Sequence, residues 1–287
     1  MIGSFLRIMI AAAVLGSGGD GTFEPPVGGE SLDTPGDSYI SPEQQFRSFG
    51  GDSTNWTRTV ENKSWGVGEY LEFSLSYGLI SAGWAVMKIP EIINYNGYSC
   101  YRVVSIAHSN DFVSMFYPVR DTVESYIDTK GLYSHYFRKH LREGGYKVDR
   151  ITTFDQRRQL AITAKDTVPT FPFVQDVLSS LYYIRIQDLV PGKDILIDNH
   201  TDRKNYPLKV IVHGRQEIEV PAGKFKCIVV EPVMRHEGIF KAKGRITIWL
   251  TDDRHKMPVK MQSEVYLLGS ISAKLKKYTL GEIGRVG

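Results

Sequence analysis

The chain is short of the features that announce a chemistry. It carries 2 cysteines in 287 residues, Cys100 and Cys227. They are far apart and neither sits in a CxxC or zinc-type spacing, which excludes a dithiol redox motif and a cysteine-rich metal fold. They read as small buried hydrophobes on strands, with a disulfide as the alternative in an oxidising compartment. An excess of one charge is also missing. Lys and Arg number 35 against 32 Asp and Glu, and the two signs are interspersed; a net +3 argues against a nucleic-acid surface. No apolar run approaches the ~20 residues of a membrane-spanning helix. There is no Gly-x-Ser-x-Gly elbow, and Ser179-Ser180 lacks flanking glycines. The cluster Gly16-Ser-Gly-Gly-Asp-Gly21 lacks the strand, helix and lysine of a phosphate loop.

What is present starts at the amino terminus. Arg7, the apolar stretch Ile8–Leu15 and the small residues Gly16–Gly19 have the layout of a secretory signal peptide over 1–16. The expected location is therefore exported, periplasmic or outer-membrane-associated, with no transmembrane span left in the mature chain. No cysteine follows the apolar stretch, so a lipoprotein acceptor is absent there. Residues 17–63 are rich in Gly, Pro and Ser and bury too little apolar surface to offset ordering entropy; they are expected to form a flexible leader. A single β domain is expected over 64–280, and a polar tail over 281–287.

The domain alternates with period two. Leu71, Phe73, Leu75 and Tyr77 interleave with polar residues, and Ile246, Ile248 and Leu250 do so again near the carboxy terminus. Further strands are expected over 82–89, 98–106, 121–127, 132–141, 147–155, 208–212, 217–220 and 225–230, and one around Ile195. Val259, Met261 and Val265 continue the pattern after the turn Asp252–Pro258. Asn96-Gly97, Asp128–Gly131 and Glu143–Gly145 supply turn chemistry between them. Regular short strands with glycine turns predict a mainly β fold: one antiparallel, strongly curved sheet or an incompletely closed barrel. The segment Tyr77–Trp84 is faintly echoed by Tyr266–Ala273, consistent with matching strands at the two ends of the sheet. One helix breaks the pattern. Val174, Val177, Leu178 and Leu181 form a stripe at helical spacing within about 173–187, and this helix is expected to cover the hollow face.

The motifs Val67-Gly-Glu-Tyr-Leu71 and Tyr77-Gly-Leu-Ile-Ser-Ala-Gly-Trp84 resemble the opening of the bacterial exported family called domain of unknown function 3108. Leu141–Gly145, Asp176–Arg185, Val220–Phe225 and Ile248–Asp253 with Met257-Pro-Val259 extend the resemblance in the family's order. It implies an exported, mostly antiparallel β protein of a Gram-negative-type envelope, and it implies no activity. The architecture so implied is similar to that of the periplasmic lipoprotein carriers, whose open sheet curves around an acyl-binding cavity. Likeness of fold does not fix function.

No catalytic or metal set can be assembled. His135 and His140 are five apart on an expected strand and face opposite ways, and the histidines read as solvent-facing or turn residues. Asp252-Asp253 reads as a turn that accepts backbone hydrogen bonds. Asp198–Asp202 lacks the glycine and closing glutamate of a calcium loop. The remaining signal is aromatic and apolar. The expectation is a non-catalytic envelope protein, without cofactor or metal, that binds a hydrophobic, lipid-like ligand between sheet and helix. Phe73, Leu75, Trp84, Val177, Leu181, Tyr182 and Trp249 are expected to line that space, with the helix as a movable lid. The alternative is a structural or protein-interaction module of the envelope with a solid core.

Overall fold

The computed structural model describes residues 58–234, 245–265 and 269–283. The expected signal peptide, leader residues 17–57 and tail residues 284–287 lie outside the described residues, as does part of the echo segment at 266–268. Strands β1 (Tyr70–Tyr77), β2 (Ile80–Tyr95), β3 (Tyr98–Ser109), β4 (Arg120–Asp128), β5 (Ser134–Glu143) and β6 (Tyr146–Asp155) form a meander. Two short strands follow, β7 (Leu160–Ile162) and β8 (Thr167–Pro169). The second half comprises β9 (Ile195–Thr201), β10 (Lys204–Val220), β11 (Gly223–Met234), β12 (Arg245–Thr251), β13 (Pro258–Val265) and β14 (Gly269–Thr279). All fourteen belong to one antiparallel sheet in the order β8-β7-β6-β5-β4-β3-β2-β1-β14-β13-β12-β11-β10-β9. The first strand thus pairs with the last, Tyr70 opposite Thr279 and Tyr77 opposite Ile271.

Alternation decides which face is buried. Leu71, Phe73 and Leu75 of β1 and Ile246, Ile248 and Leu250 of β12 all enter the core, while Ser74 and Arg245 face outward. The expected Asn-Gly turn forms: Asn96 and Gly97 have positive φ (51° and 86°), and Asn94 Oδ1 accepts from Gly97 N at 3.0 Å. In β2, an alanine methyl at Gly83 would stand 2.0 Å from the His108 carbonyl oxygen on β3. Only a residue without Cβ lets these strands approach so closely.

The sheet does not close. The gap between its edge strands, β8 and β9, is crossed by residues 170–194, which carry the helix α2 (Val177–Arg185). Before the helix, the extended residues Val174 and Gln175 stitch the gap. Ser134 N donates to Val174 O, Gln175 N to Asp198 O (2.9 Å) and His200 N to Gln175 O (2.8 Å). Lys139 Nζ and Arg150 Nη1 both donate to Asp202 Oδ1, at 2.8 and 2.6 Å. Asn205 Nδ2 donates to Pro169 O at 2.9 Å, and Arg203 pairs with Asp166. A polar seam therefore does what strand pairing does elsewhere in the sheet.

Four features depart from the sequence expectation. The helix is shorter than 173–187, because Asp176 caps it and Val174 and Gln175 serve the seam instead. A second helix, α1 (Asp111–Ser114), connects β3 to β4. Strand β2 continues past Pro90, where a bulge between Lys88 and Glu91 accommodates the missing N–H. Strand β10 is continuous through a bulge at Val212/Gly214. At the domain boundaries, residues 58–63 of the expected leader are docked. Val60 N donates to Lys130 O, and the Arg58 guanidinium lies over the rings of Phe173 and Tyr183. In the expected tail, Glu282 N donates to Val67 O at 2.8 Å.

Candidate functional site

Helix α2 lies against the concave face and is buried on nearly every side: Val177, Leu178, Ser179, Ser180, Tyr182, Ile184 and Arg185 are all shielded from water. A helix buried all round is a plug rather than a surface element. Its first turn is fixed by Asp176, whose Oδ1 accepts from Leu178 N (2.7 Å) and Ser179 N (2.9 Å). Ser179 Oγ accepts in return from Asp176 N, completing a capping box. Ser125 on β4 donates to Asp176 Oδ2 at 2.6 Å, and Asn199 on β9 donates to Ser180 Oγ at 2.8 Å. Burial pushes the Asp176 carboxyl above its ordinary value, opposed by the hydrogen bonds it accepts from the Ser125 hydroxyl and the Ser179 and Leu178 amides.

The other end is held as firmly. Arg185 and Glu69 are both 0% exposed and make a bidentate pair, Nη1–Oε1 at 2.8 Å and Nη2–Oε2 at 2.6 Å. Burial alone would lower the guanidinium; the Glu69 carboxylate holds it above its ordinary value. Arg185 also donates to His255 O in the β12–β13 turn. Trp65 Nε1 donates to Tyr182 O (2.9 Å) and Ser64 Oγ to Arg185 O (2.8 Å). Pinned at both ends, α2 is not the movable lid expected from the sequence.

Between α2 and the sheet lies a cavity of ≈ 50 Å³, lined by Met87, Val123, Val177, Leu181, Ile248 and Met261 among others, with Ser105 and Ser180 as its polar groups. A smaller one of ≈ 20 Å³ lies beneath α1, between Leu75, Ala82, Val113, Val119 and Ile271. The first is far below the ~300 Å³ at which drug-sized ligand sites begin. It is space that neighbouring side chains would have to enlarge.

The expected lining residues divide accordingly. Val177 and Leu181 border the larger cavity and Leu75 the smaller one. Phe73 and Tyr182 are in the solid core, Tyr182 packed edge-on against Trp65 with ring centroids 5.0 Å apart. The two tryptophans are displaced. Trp84 is 41% exposed and lies against His108, and Trp249 donates its N–H to Gln216 beneath the Lys260 ammonium. Both occupy the outward parity of their strands, as the inward positions Met87 and Ile248 make plain. That parity was available in the sequence, since Ile248 and Met261 already stood on the apolar face.

Titratable groups also cluster, without forming reactive chemistry. His135 Nε2 lies 3.1 Å from Asp128 Oδ2, and Cys100 is opposite Asp128 on β3. Burial alone would raise the Asp128 carboxyl; the His135 ring and the amides of Gly131 and Lys130 leave it below its ordinary value. The Cys100 thiol is pushed up to about 12 by burial and by Asp128, and the Cys227 thiol is also pushed up to about 12, chiefly by burial. Both are free and buried, the opposite of an activated thiolate. His135 and His200 are buried, not solvent-facing, because each has a polar partner inside: Asp128 for the first, Asn205 for the second. Asp253 accepts from His255 N and Lys256 N as the turn chemistry requires. Among the described residues no group of three or more His, Cys, Asp or Glu could hold a metal ion. Among them, too, no helix is long and apolar enough to cross a membrane.

Comparison with known proteins agrees on architecture. The family described as "Protein of unknown function (DUF3108)" matches residues 72–276. A β-barrel-like protein of domain of unknown function DUF1849 from Brucella abortus superposes with a TM-score of 0.53 at 13% identity, covering 76% of this chain and 100% of that one. A candidate lipoprotein of Parabacteroides distasonis has a TM-score of 0.35 at 10% identity, covering 78% and 100% of the two chains. A candidate exported protein with a YmcC-like fold from Bacteroides fragilis has a TM-score of 0.29 at 12% identity, covering 77% and 99%. The first shows a shared fold; the other two are too distant to carry an argument. No curated protein matches the chain in sequence.

Proposed function

The chain belongs to the DUF3108 family of proteins of unknown function, and from that premise we propose that it is an exported, non-catalytic binding protein. It holds a hydrophobic, lipid-like molecule between α2 and the concave face of the sheet. The observation that supports this is the apolar cavity bordered by Val177 and Leu181, which is lined by α2 and by residues from both halves of the sheet. The ligand widens it by moving side chains, with α2 fixed. Met87 and Met261 on the wall are unbranched and adapt their rotamers readily. Retention comes from buried area, at about 25 cal/mol per Å² of apolar surface. Protein isolated from the envelope is expected to carry lipid in native mass spectra and to bind added fatty acid or phospholipid. Leu181→Trp, which fills the cavity, should abolish that binding while the protein stays folded by circular dichroism. A lipid-free spectrum with no uptake of added lipid would sink the proposal.

One observation favours a second reading, an envelope interaction module with a solid core. The cavity at ≈ 50 Å³ is small, and α2 is tied at both ends. Specific retention of an envelope protein, with lipid uptake absent, would select it.

A further inference from the structure

The strand ends on one side of the sheet carry apolar residues that the fold leaves in water. The β1–β2 turn presents Leu79 and Ile80, and the α1 connection between β3 and β4 presents Phe112, Met115 and Phe116. These five are between 54% (Ile80) and 104% (Leu79) exposed. Gly78, at φ 56°, makes the tight turn that puts Leu79 at the tip. The two loops form one patch. Asn110 Nδ2 donates to Ser81 O at 2.8 Å, and Asn110 N donates to Ala82 O at 2.9 Å. The patch is also preorganised. Asn110 Oδ1 accepts from Val113 N, Ser109 and Ser114 bond through their hydroxyls at 2.7 Å, and Phe112 and Phe116 pack edge-to-face with centroids 5.8 Å apart.

We propose that this rim docks onto a phospholipid bilayer. The side chains sit on a tight turn and a short connection at the strand ends and are more than half exposed, which suits insertion among lipids. Behind them comes a belt of amphipathic aromatics at the same end: Tyr77, Tyr117 and Tyr146, half-buried, and Trp84, partly exposed. Apolar tips backed by Tyr and Trp match the change from hydrocarbon to headgroup at a membrane surface, where those two side chains concentrate. Among the described residues the exposed charges near this end include Arg120, Lys147 and Arg245 against Asp111 and Glu264, a slight excess of cations where anionic headgroups would lie. Interfacial docking of this kind draws on buried apolar area and attraction to anionic lipid together. It stands independently of any ligand in the interior.

The full-length protein should co-sediment with vesicles of phosphatidylcholine and phosphatidylglycerol. The pair Leu79→Ser with Phe116→Ser, at exposed positions, should weaken that binding about tenfold or more per side chain, with an unchanged circular dichroism spectrum. The stretch Ile8–Leu15 is itself apolar, so a local readout decides. Trp fluorescence introduced by Phe116→Trp should shift to the blue and be quenched by brominated acyl chains. An unquenched Trp, or a double variant that binds vesicles like the parent, would overturn the proposal. So would self-association that the double variant abolishes with vesicle binding intact, since the patch would then belong to a second copy. Lipid found inside the cavity bears on neither result.

Discussion

Single side chains set much of this fold's energetics through pairs that water does not reach. Arg185 and Glu69 are both fully buried, and removing one partner leaves the other charge uncompensated. Glu69→Gln and Arg185→Met are each expected to cost about 3–5 kcal/mol in urea unfolding. A loss below ~1 kcal/mol would show that the pair does not anchor α2. Asp202 gives a pH-dependent counterpart. Burial would raise its carboxyl, but Lys139 and Arg150 hold it below its ordinary value of 3.8. A carboxyl depressed in the folded state contributes stability that is present above the ordinary value and lost as the pH falls through the folded one. Asp202→Asn should therefore lower stability at pH ~6, and its deficit against the parent should shrink towards pH ~2. A deficit that does not vary with pH would exclude the seam as its source.

Helix α2 is an element made by its cap as much as by its stripe. The spacing of Val174, Val177, Leu178 and Leu181 suggested a longer helix, yet Asp176 begins it and Val174 belongs to the seam. Burial raises the Asp176 carboxyl, so the ionised form is disfavoured on folding. That group's contribution is best below the ordinary carboxylate value and declines as the pH rises through the raised one. Asp176→Ala removes the acceptor for Leu178, Ser179 and Ser125 and should cost about 1–3 kcal/mol. Asp176→Asn keeps an acceptor oxygen without the charge, and at neutral pH it should cost clearly less. Equal losses in the two variants, measured by thermal unfolding, would contradict the assignment of Asp176 as a capping acceptor. Turn chemistry at Asn96-Gly97 and the apolar parity of β1 and β12 were legible beforehand, because both follow from local geometry. Trp84 and Trp249 do not line the space under α2, because parity along the strand, and not aromatic character, decides which face a side chain takes.

The whole domain is joined at two places that chain order does not suggest. Its first and last strands pair through the length of β1, and its edge strands meet through the polar seam around Asp202. No contiguous half can complete its sheet alone. Urea unfolding of the full-length protein is therefore expected to be one cooperative transition, with Trp fluorescence and far-UV circular dichroism superimposed. Two separated transitions would mean that the halves are held independently.

By itself the sequence determined the β architecture, the antiparallel meander, the presence of one plugging helix and the family, because alternation, turn residues and local motifs are properties of neighbours along the chain. Tertiary structure alone decided that Glu69 meets Arg185, that Lys139 and Arg150 share Asp202, how little space remains under α2, and which apolar tips stay in water. Those depend on distances between residues more than fifty positions apart in the Asp202 and Glu69 pairs, and no local period encodes them.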